Sequence, residues 1–411
     1  MSRGANERRA TDRTEMVRLM RLPVWITGLG ITSAIGADRP SFWDALLAGK
    51  SGVGDLTRFP AGDMRFPRVA ECPDPGGPYP NRADNLAVKA AREALAQAGL
   101  ERLPEGAGIA LGAGVGGLPE TEEAYLGFIE DGHLAGRIRA FTSHLPATTA
   151  DVLGAELGGE GPRISVANAC TSSTVAIGLG GLWIATGECD CVLAGASDAL
   201  SRLTVGGFNC LRVVSPDRPR PFDKDRSGMV IGEGAAFLVL EAAESARTRG
   251  ARPLAVLEGV GLSADAFHAT APQPEGEGAL RAMRQALRMS GMGPEAVDHV
   301  NAHGTATPSN DCAEGRAIVN LLGDRAGSVP VTSIKGAVGH CLGAAGALEA
   351  AAAVLSLIHQ TVPPCVGFAE ADPAIPLLVP ARPMSMDLRH VLSVNLAFGG
   401  NNAAILLGKA P

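Results

Sequence analysis

Short apolar runs alternate along this chain with stretches of helical length, and glycines mark most boundaries between them. Ordered structure is expected from Pro23-Val-Trp-Ile-Thr-Gly, an apolar strand closed by a glycine turn. Phe42 to Ala48 predicts a helix stopped by Gly49, and Asn85 to Gly99 spells an amphipathic helix with its own glycine stop. Strands are predicted over Gly108 to Gly112, Ile164 to Ala167, Cys191 to Gly195 and Ala235 to Glu241. A buried helix fits Thr171 to Gly187, and a short helix fits Ala243 to Arg249. The alternation then restarts with a strand over Leu254 to Gly261, a helix over Gly278 to Ser290 and a strand over Val297 to Ala302. Leu342 to Leu357 is apolar on every side except at Glu349, the pattern of a central buried helix. The chain closes with the apolar run Val391 to Leu396, a Phe-Gly-Gly turn and a strand over Ala403 to Leu407. Two successive β/α runs predict a duplicated α/β unit, with a disordered tail over 1–22 and halves over 23–253 and 254–411.

Composition narrows the function classes. Hydrophobic residues at 46% and charged residues at 19% describe a globular protein, and 411 residues exceed one ordinary core. A net charge of −7 gives no general attraction for nucleic acid or anionic lipid, and 4% aromatics leave little to stack on bases. Neither nucleic acid nor membrane is expected as a partner. The longest uncharged stretch, Ile164 to Gly187, carries Ser165, Asn168, Thr171, Ser172 and Ser173, so it reads as strand, turn and buried helix. The first 21 residues hold six arginines and three acids without an apolar centre, unlike a secretory signal. Eight scattered cysteines form no disulfide framework or zinc pattern, and Cys189-Asp-Cys191 fits a buried strand, so a reducing cytoplasm is expected. Gly112-Ala-Gly-Val-Gly-Gly117 matches a dinucleotide fingerprint, but Leu-Pro-Glu-Thr reads as a poor helix continuation and no acid follows at the right distance. Its glycines are expected to permit close packing, with no nicotinamide or flavin cofactor.

Three short segments carry chemistry. Ile164-Ser-Val-Ala-Asn-Ala-Cys170-Thr-Ser-Ser places a cysteine at a strand-to-helix junction, where free N–H groups and the helix dipole favour a thiolate. The Cys170 N–H can also serve as an oxyanion donor. Asn301-Ala-His303-Gly-Thr-Ala-Thr307-Pro follows an apolar strand, and Ser333-Ile-Lys335-Gly-Ala-Val-Gly-His340 precedes the buried helix. One thiol and two imidazoles suit the making of an enolate, with two N–H donors meeting a thioester oxygen as charge develops. Lys335 is expected to fix their hydrogen bonding, with Glu314 as its ion partner. His133, His144, His299, His359 and His390 have no such setting and read as surface or structural residues.

At these residues the chain resembles the elongating β-ketoacyl-(acyl carrier protein) synthases of the thiolase superfamily, from about residue 23 to 408. The resemblance rests on Ile26-Thr-Gly-Leu-Gly30, the ACTSS run at Cys170, Arg220-Pro-Phe-Asp-Lys-Asp-Arg-Ser-Gly228, Asp265-Ala-Phe-His268-Ala-Thr270, His303-Gly-Thr-Ala-Thr307-Pro, Lys335 to His340, and Phe398-Gly-Gly400. It implies the duplicated, five-layered αβαβα fold and a homodimer paired through the strand leading to the nucleophile. It also implies acyl carrier protein as partner, no cofactor, Cys170 as nucleophile, and His303 and His340 as enolate stabilisers. Lys335 and Glu314 would be the supporting pair. Cys170 and Phe398 would supply the oxyanion hole, and Phe398-Gly399-Gly400 the gate. Thr305, Thr307, His268 and Thr270 would meet the pantetheine arm, and Val115 would lie deep in the acyl tunnel. Asn301, Glu314, Glu349 and Ser393 match a structural cation site of some members.

Three departures stand out: Ala397 where the family has glycine before the gate phenylalanine, Ser309-Asn310 before Asp311, and a shortened Leu200 to Pro221 holding Arg202, Arg212, Arg218 and Arg220. Ala397 is expected to stiffen the gate. The departures suit a specialised polyene or polyketide pathway as well as fatty-acid synthesis, and leave room for a heterodimer with a ketosynthase-like partner. A degradative thiolase would need a second catalytic cysteine where Phe398 stands, and Cys341 and Cys365 lie elsewhere. A non-catalytic chain-length subunit would lack Cys170.

Overall fold

The computed structural model describes residues 24–133 and 138–411; the predicted tail over 1–22 lies outside them. Among the described residues, ten strands form the main sheet: β1 (Val24–Ser33), β2 (Gly108–Gly112), β3 (Arg163–Val166), β4 (Cys191–Asp198), β5 (Gly234–Ala242), β6 (Ala255–Ala264), β7 (His299–Asn301), β8 (Val331–Thr332), β9 (His390–Leu396) and β10 (Asn401–Lys409). Their order across the sheet is β8-β7-β9-β10-β6-β1-β5-β4-β2-β3. The first five strands therefore repeat, in the same order, as the last five, and β1 meets β6 at Val24–Leu257, Trp25–Val256 and Ile26–Ala255. This is the duplicated α/β fold.

Helices complete the layers. Helix α1 (Arg82–Ala98) packs outside the first half-sheet with α3 (Thr148–Leu157), and α6 (Glu277–Ser290) packs outside the second with α7 (Pro308–Leu322). Between the half-sheets lie α4 (Ser172–Ala185) and α8 (Ala345–His359), packed on each other. Helix α8 is buried along nearly its whole length, as an element apolar all round must be. With the 3₁₀ turn before it, it is long and apolar enough to cross a membrane, yet 89% of that stretch lies inside the protein.

Close approach explains the glycine pattern. A Cβ on Gly28 or Gly30 of β1 would sit 2.1 Å or 1.9 Å from the carbonyl oxygens of Ala94 and Ala90 of α1. A Cβ on Gly259 or Gly261 of β6 would meet those of Ala286 and Ala282 of α6 at 2.1 Å and 1.9 Å. The two halves thus share a Gly-x-Gly strand pressed on an Ala-x-x-x-Ala helix. At the centre, a Cβ on Gly346 of α8 would stand 2.0 Å from Thr174 Oγ1 of α4.

Several elements differ from the sequence reading. Leu118–Asp131 is a helix (α2) directly after the Gly112–Gly117 run, with Pro119 in its first turn, where proline costs no hydrogen bond. The helix continuation was therefore misread, but the run still holds no phosphate: the N–H groups of Gly114 and Val115 donate to the buried Asp198 carboxylate at 2.8–3.0 Å. Helix α7 likewise starts on a proline, Pro308. The helices α3, α7 and α5 (Arg202–Cys210) also escaped the periodicity reading.

Candidate active site

Three loops converge where the half-sheets meet, and each is bent by a non-glycine residue at positive φ. Ala169 (φ 49°) precedes Cys170 in the turn entering α4, Ala306 (φ 65°) follows His303, and Leu342 (φ 51°) follows His340. Such conformations persist only where surrounding packing holds them. They bring Cys170, His303 and His340 together: the thiol and one nitrogen from each ring all lie within 4.8 Å of one another. The two rings meet edge to face at 5.2 Å. They open on a cavity of about 230 Å³ lined also by Phe208, Val213, Met229, Thr270, Thr305, Thr307 and Phe398.

The partners of the imidazoles fix their tautomers. His340 Nδ1 accepts the Leu342 N–H at 3.0 Å. His303 Nδ1 faces the Lys335 ammonium at 3.1 Å and the Asn395 amide at 3.4 Å. Burial, reinforced by the Lys335 charge, holds both rings well below the ordinary histidine range, so both are neutral. With each Nδ1 accepting, each Nε2 carries the proton. The same assignment argues against a metal on this thiol–imidazole cluster, because neither Nε2 has a free lone pair.

Cys170 departs from expectation. Its own N–H and that of Phe398 hydrogen-bond the sulfur, and Lys335 adds favourable charge, yet burial outweighs them and pushes the thiol up to about 11. The helix N-terminus alone therefore does not yield a resting thiolate. The two N–H groups nonetheless converge where an oxyanion hole on a Cys170 thioester would form.

The predicted Lys335–Glu314 pair is corrected. Lys335 Nζ pairs with Glu349 and donates to the His303 carbonyl, while Asn395 holds the other Glu349 oxygen. Glu314 instead accepts the N–H groups of His303 (2.6 Å) and Gly304 (2.8 Å), shaping the loop. The proposed cation set changes with it. Asn301 Oδ1 and Ser393 Oγ, neighbours on β7 and β9, are buried without hydrogen-bond partners among the described residues, as oxygens reserved for a cation would be. Glu349 does not fit that role, since both carboxylate oxygens are engaged and its main-chain carbonyl accepts from Asn301.

Thr305 and Thr307 line the cavity and bond each other at 2.8 Å, and Thr270 lines its mouth. His268 is exposed and does not line the cavity; its Nδ1 accepts the Thr270 and Ala271 N–H groups at 3.1 Å, shaping the rim. Val115 does not line it either, and packs with Met229 in the apolar cluster that Phe208 and Val213 flank. In the predicted gate, Gly399 (φ 85°) and Gly400 (φ 76°) adopt a conformation that suits glycine, while Ala397 is not at positive φ and is unstrained. Asn395, unremarked in the sequence, braces Glu349, His303 and Thr174 together. Its only sequence signal is a polar residue inside an apolar strand.

A thiol at a strand–helix elbow, two imidazoles beside it and a duplicated α/β core match a condensing enzyme of the thiolase superfamily. The chain belongs to the β-ketoacyl synthase family: the family's N-terminal domain matches residues 80–246 and its C-terminal domain residues 254–369. It is 38% identical to "3-oxoacyl-[acyl-carrier-protein] synthase 2" of Coxiella burnetii, covering 94% of this chain and 98% of that one. It is also 38% identical to "Nodulation protein E" of Rhizobium meliloti, covering 93% and 98%. Among solved structures, "The ishigamide ketosynthase/chain length factor" superposes with a TM-score of 0.89 at 36% identity, covering 95% of this chain and 99% of that one.

Proposed function

We propose that this protein elongates carrier-bound acyl chains by decarboxylative Claisen condensation with a malonyl-carrier, in fatty-acid synthesis or a related polyene or polyketide pathway. One observation carries the reading: two neutral imidazoles, each with Nδ1 committed as acceptor, share one cavity with a thiol. Cys170 attacks the acyl thioester, its sulfur–carbon bond forms, and the carrier's sulfur leaves with the proton. Malonyl-carrier follows; its carboxylate carbon–carbon bond breaks, carbon dioxide departs, and the electron pair forms an enolate held by the Nε2–H groups of His303 and His340. The enolate carbon attacks the Cys170 thioester. The N–H groups of Cys170 and Phe398 hold the oxyanion until Cys170 thiolate is expelled and the β-ketoacyl carrier released. Lys335, Glu349 and Asn395 are positioning residues for His303. Thr270, Thr305 and Thr307 line the pantetheine path, with His268 shaping its rim, and Gly399 and Gly400 allow Phe398 to move.

Asn301 and Ser393 would hold a structural monovalent cation through their unpartnered side-chain oxygens, while Glu314, with both oxygens taken by the N–H groups of His303 and Gly304, stands outside the set. The protein pairs as a homodimer through β3, which edges the sheet with an unpaired side. Exposed Tyr125, Phe128, Ile129 and Leu145 supply apolar surface for such an interface. A heterodimer with a ketosynthase-like partner is the second arrangement, suggested by the chain length factor in the solved structure's name. Eight unpaired cysteines suit a reducing cytoplasm. A purely non-catalytic partner role is disfavoured by the complete Cys170, His303 and His340 set.

Condensation of acyl- and malonyl-carrier, read by mass spectrometry of the β-ketoacyl product, tests the mechanism. Cys170→Ala is expected to give none, and Cys170→Gln to release carbon dioxide without condensing. Equal condensation by wild type and Cys170→Ala would refute it.

A further inference from the structure

Helix α5 (Arg202–Cys210) is a thin partition with space on both sides. Phe208 lines the catalytic cavity, its ring tilted against Phe398 at 5.7 Å. Gly206, Asn209 and Cys210 line an open surface groove of about 610 Å³ together with Met64 and Arg65. Behind Phe208, Val213 and Met229 lies a cluster of Val69, Val115, Leu200, Val205, Ile231 and Leu342, which carries no charge and would suit an alkyl chain.

The helix is intrinsically weak at its centre. Gly206 and Gly207 interrupt it, and glycine is the poorest helix former after proline. No packing need among the described residues explains them: a Cβ on Gly207 would meet none of them within 4 Å, and one on Gly206 only Met64 Cε at 3.5 Å. Order is imposed from the ends. Ser201 and Thr204 form a capping box, and Glu122 accepts the N–H groups of Arg202 and Leu203 at 2.8 Å each. Asn209 is tied to the Phe66 backbone at 3.0 Å and 3.3 Å.

We propose that α5 is the adjustable end wall of the acyl site. Phe208 closes the cavity around short chains, and α5 yields toward the groove when a longer chain presses into the apolar cluster. Phe208 and the glycine pair thereby set the range of chain lengths accepted. This rests on the reading of Cys170 as the acyl acceptor.

The test uses the full chain and saturated acyl-carrier thioesters of graded length, with the Cys170 adduct read by intact mass. Phe208→Ala is expected to raise loading of chains longer than the wild-type optimum, about fourfold for each extra methylene that finds apolar contact. Phe208→Leu should fall between, and a smaller cut is less prone to unfold the helix. Gly206→Ala with Gly207→Ala stiffens α5 and should cut long-chain loading while leaving short-chain loading unchanged, since neither residue lines the cavity. Identical length profiles in all variants, or equal loss at every length in the glycine variant, would overturn the proposal. Absence of any adduct on wild type would bring down the acyl-acceptor reading itself, and this proposal with it.

Discussion

At the scale of residues, burial decides the chemistry more than local position does. A cysteine at a helix start reads as a thiolate from sequence, but a nearly enclosed Cys170 rests as a thiol near 11. The junction is visible in the sequence; the desolvation comes from residues far along the chain and is not. Alkylation of Cys170 by iodoacetamide should therefore quicken about tenfold per pH unit from neutrality to about pH 10, since the reactive thiolate fraction grows at that rate. A plateau near pH 8 would contradict it. The same limit applies to ion pairs. Lys335 and Glu314 stand 21 positions apart in neighbouring motifs, whereas the real partner of Lys335, Glu349, reads from sequence as the lone acid of an apolar helix and as a cation-site candidate. An acid with no exposed face must find a cation inside, and Lys335 is the buried cation within reach.

At the scale of elements, strands and helices with unbroken periodicity were legible: Gly108–Gly112 was read to the residue, and α1, α4, α6 and α8 within a few positions. Helix α2 was hidden because Leu-Pro-Glu-Thr reads as a poor helix continuation, although proline suits a first turn; Pro308 opens α7 in the same way. The duplication was inferred from element order, while the signature that demonstrates it sat in plain letters: Gly28-Leu-Gly30 against Ala90 and Ala94, and Gly259-Val-Gly261 against Ala282 and Ala286. Its meaning appears only when strand and helix are seen in contact. Gly261→Ala should force β6 from α6 at a carbonyl oxygen 1.9 Å from the new Cβ, costing about 2–3 kcal/mol in chemical denaturation. A change under about 0.5 kcal/mol would show that the contact relaxes freely.

At the scale of the whole molecule, folding encloses titratable groups of opposite consequence. His299 is held down to about 3 by burial, and His303 and His340 lie well below their usual range. Their folded values are depressed, so their stabilisation is complete above about pH 6.5 and is lost as pH falls. Glu314 has the opposite sign. Burial raises it to about 8, so its contribution is complete below about pH 4.5 and is lost as pH rises toward 8. From about pH 7 to 8 the three histidines together add only about 0.4 kcal/mol as the unfolded chain sheds its last imidazole protons, whereas Glu314 should cost on the order of 1 kcal/mol of stability, so the net change is a fall. Thermal unfolding across that interval should show a falling midpoint in wild type and a flatter one in Glu314→Gln. Parallel curves for the two proteins would reject this role for Glu314.

The most direct test of the central claim is intact-mass spectrometry of wild type and Cys170→Ala, each mixed with acyl-carrier thioesters. Wild type should gain the mass of one acyl group, and Cys170→Ala none. Equal labelling of both proteins, or of neither across every acyl group tried, would contradict Cys170 as the acyl-accepting nucleophile.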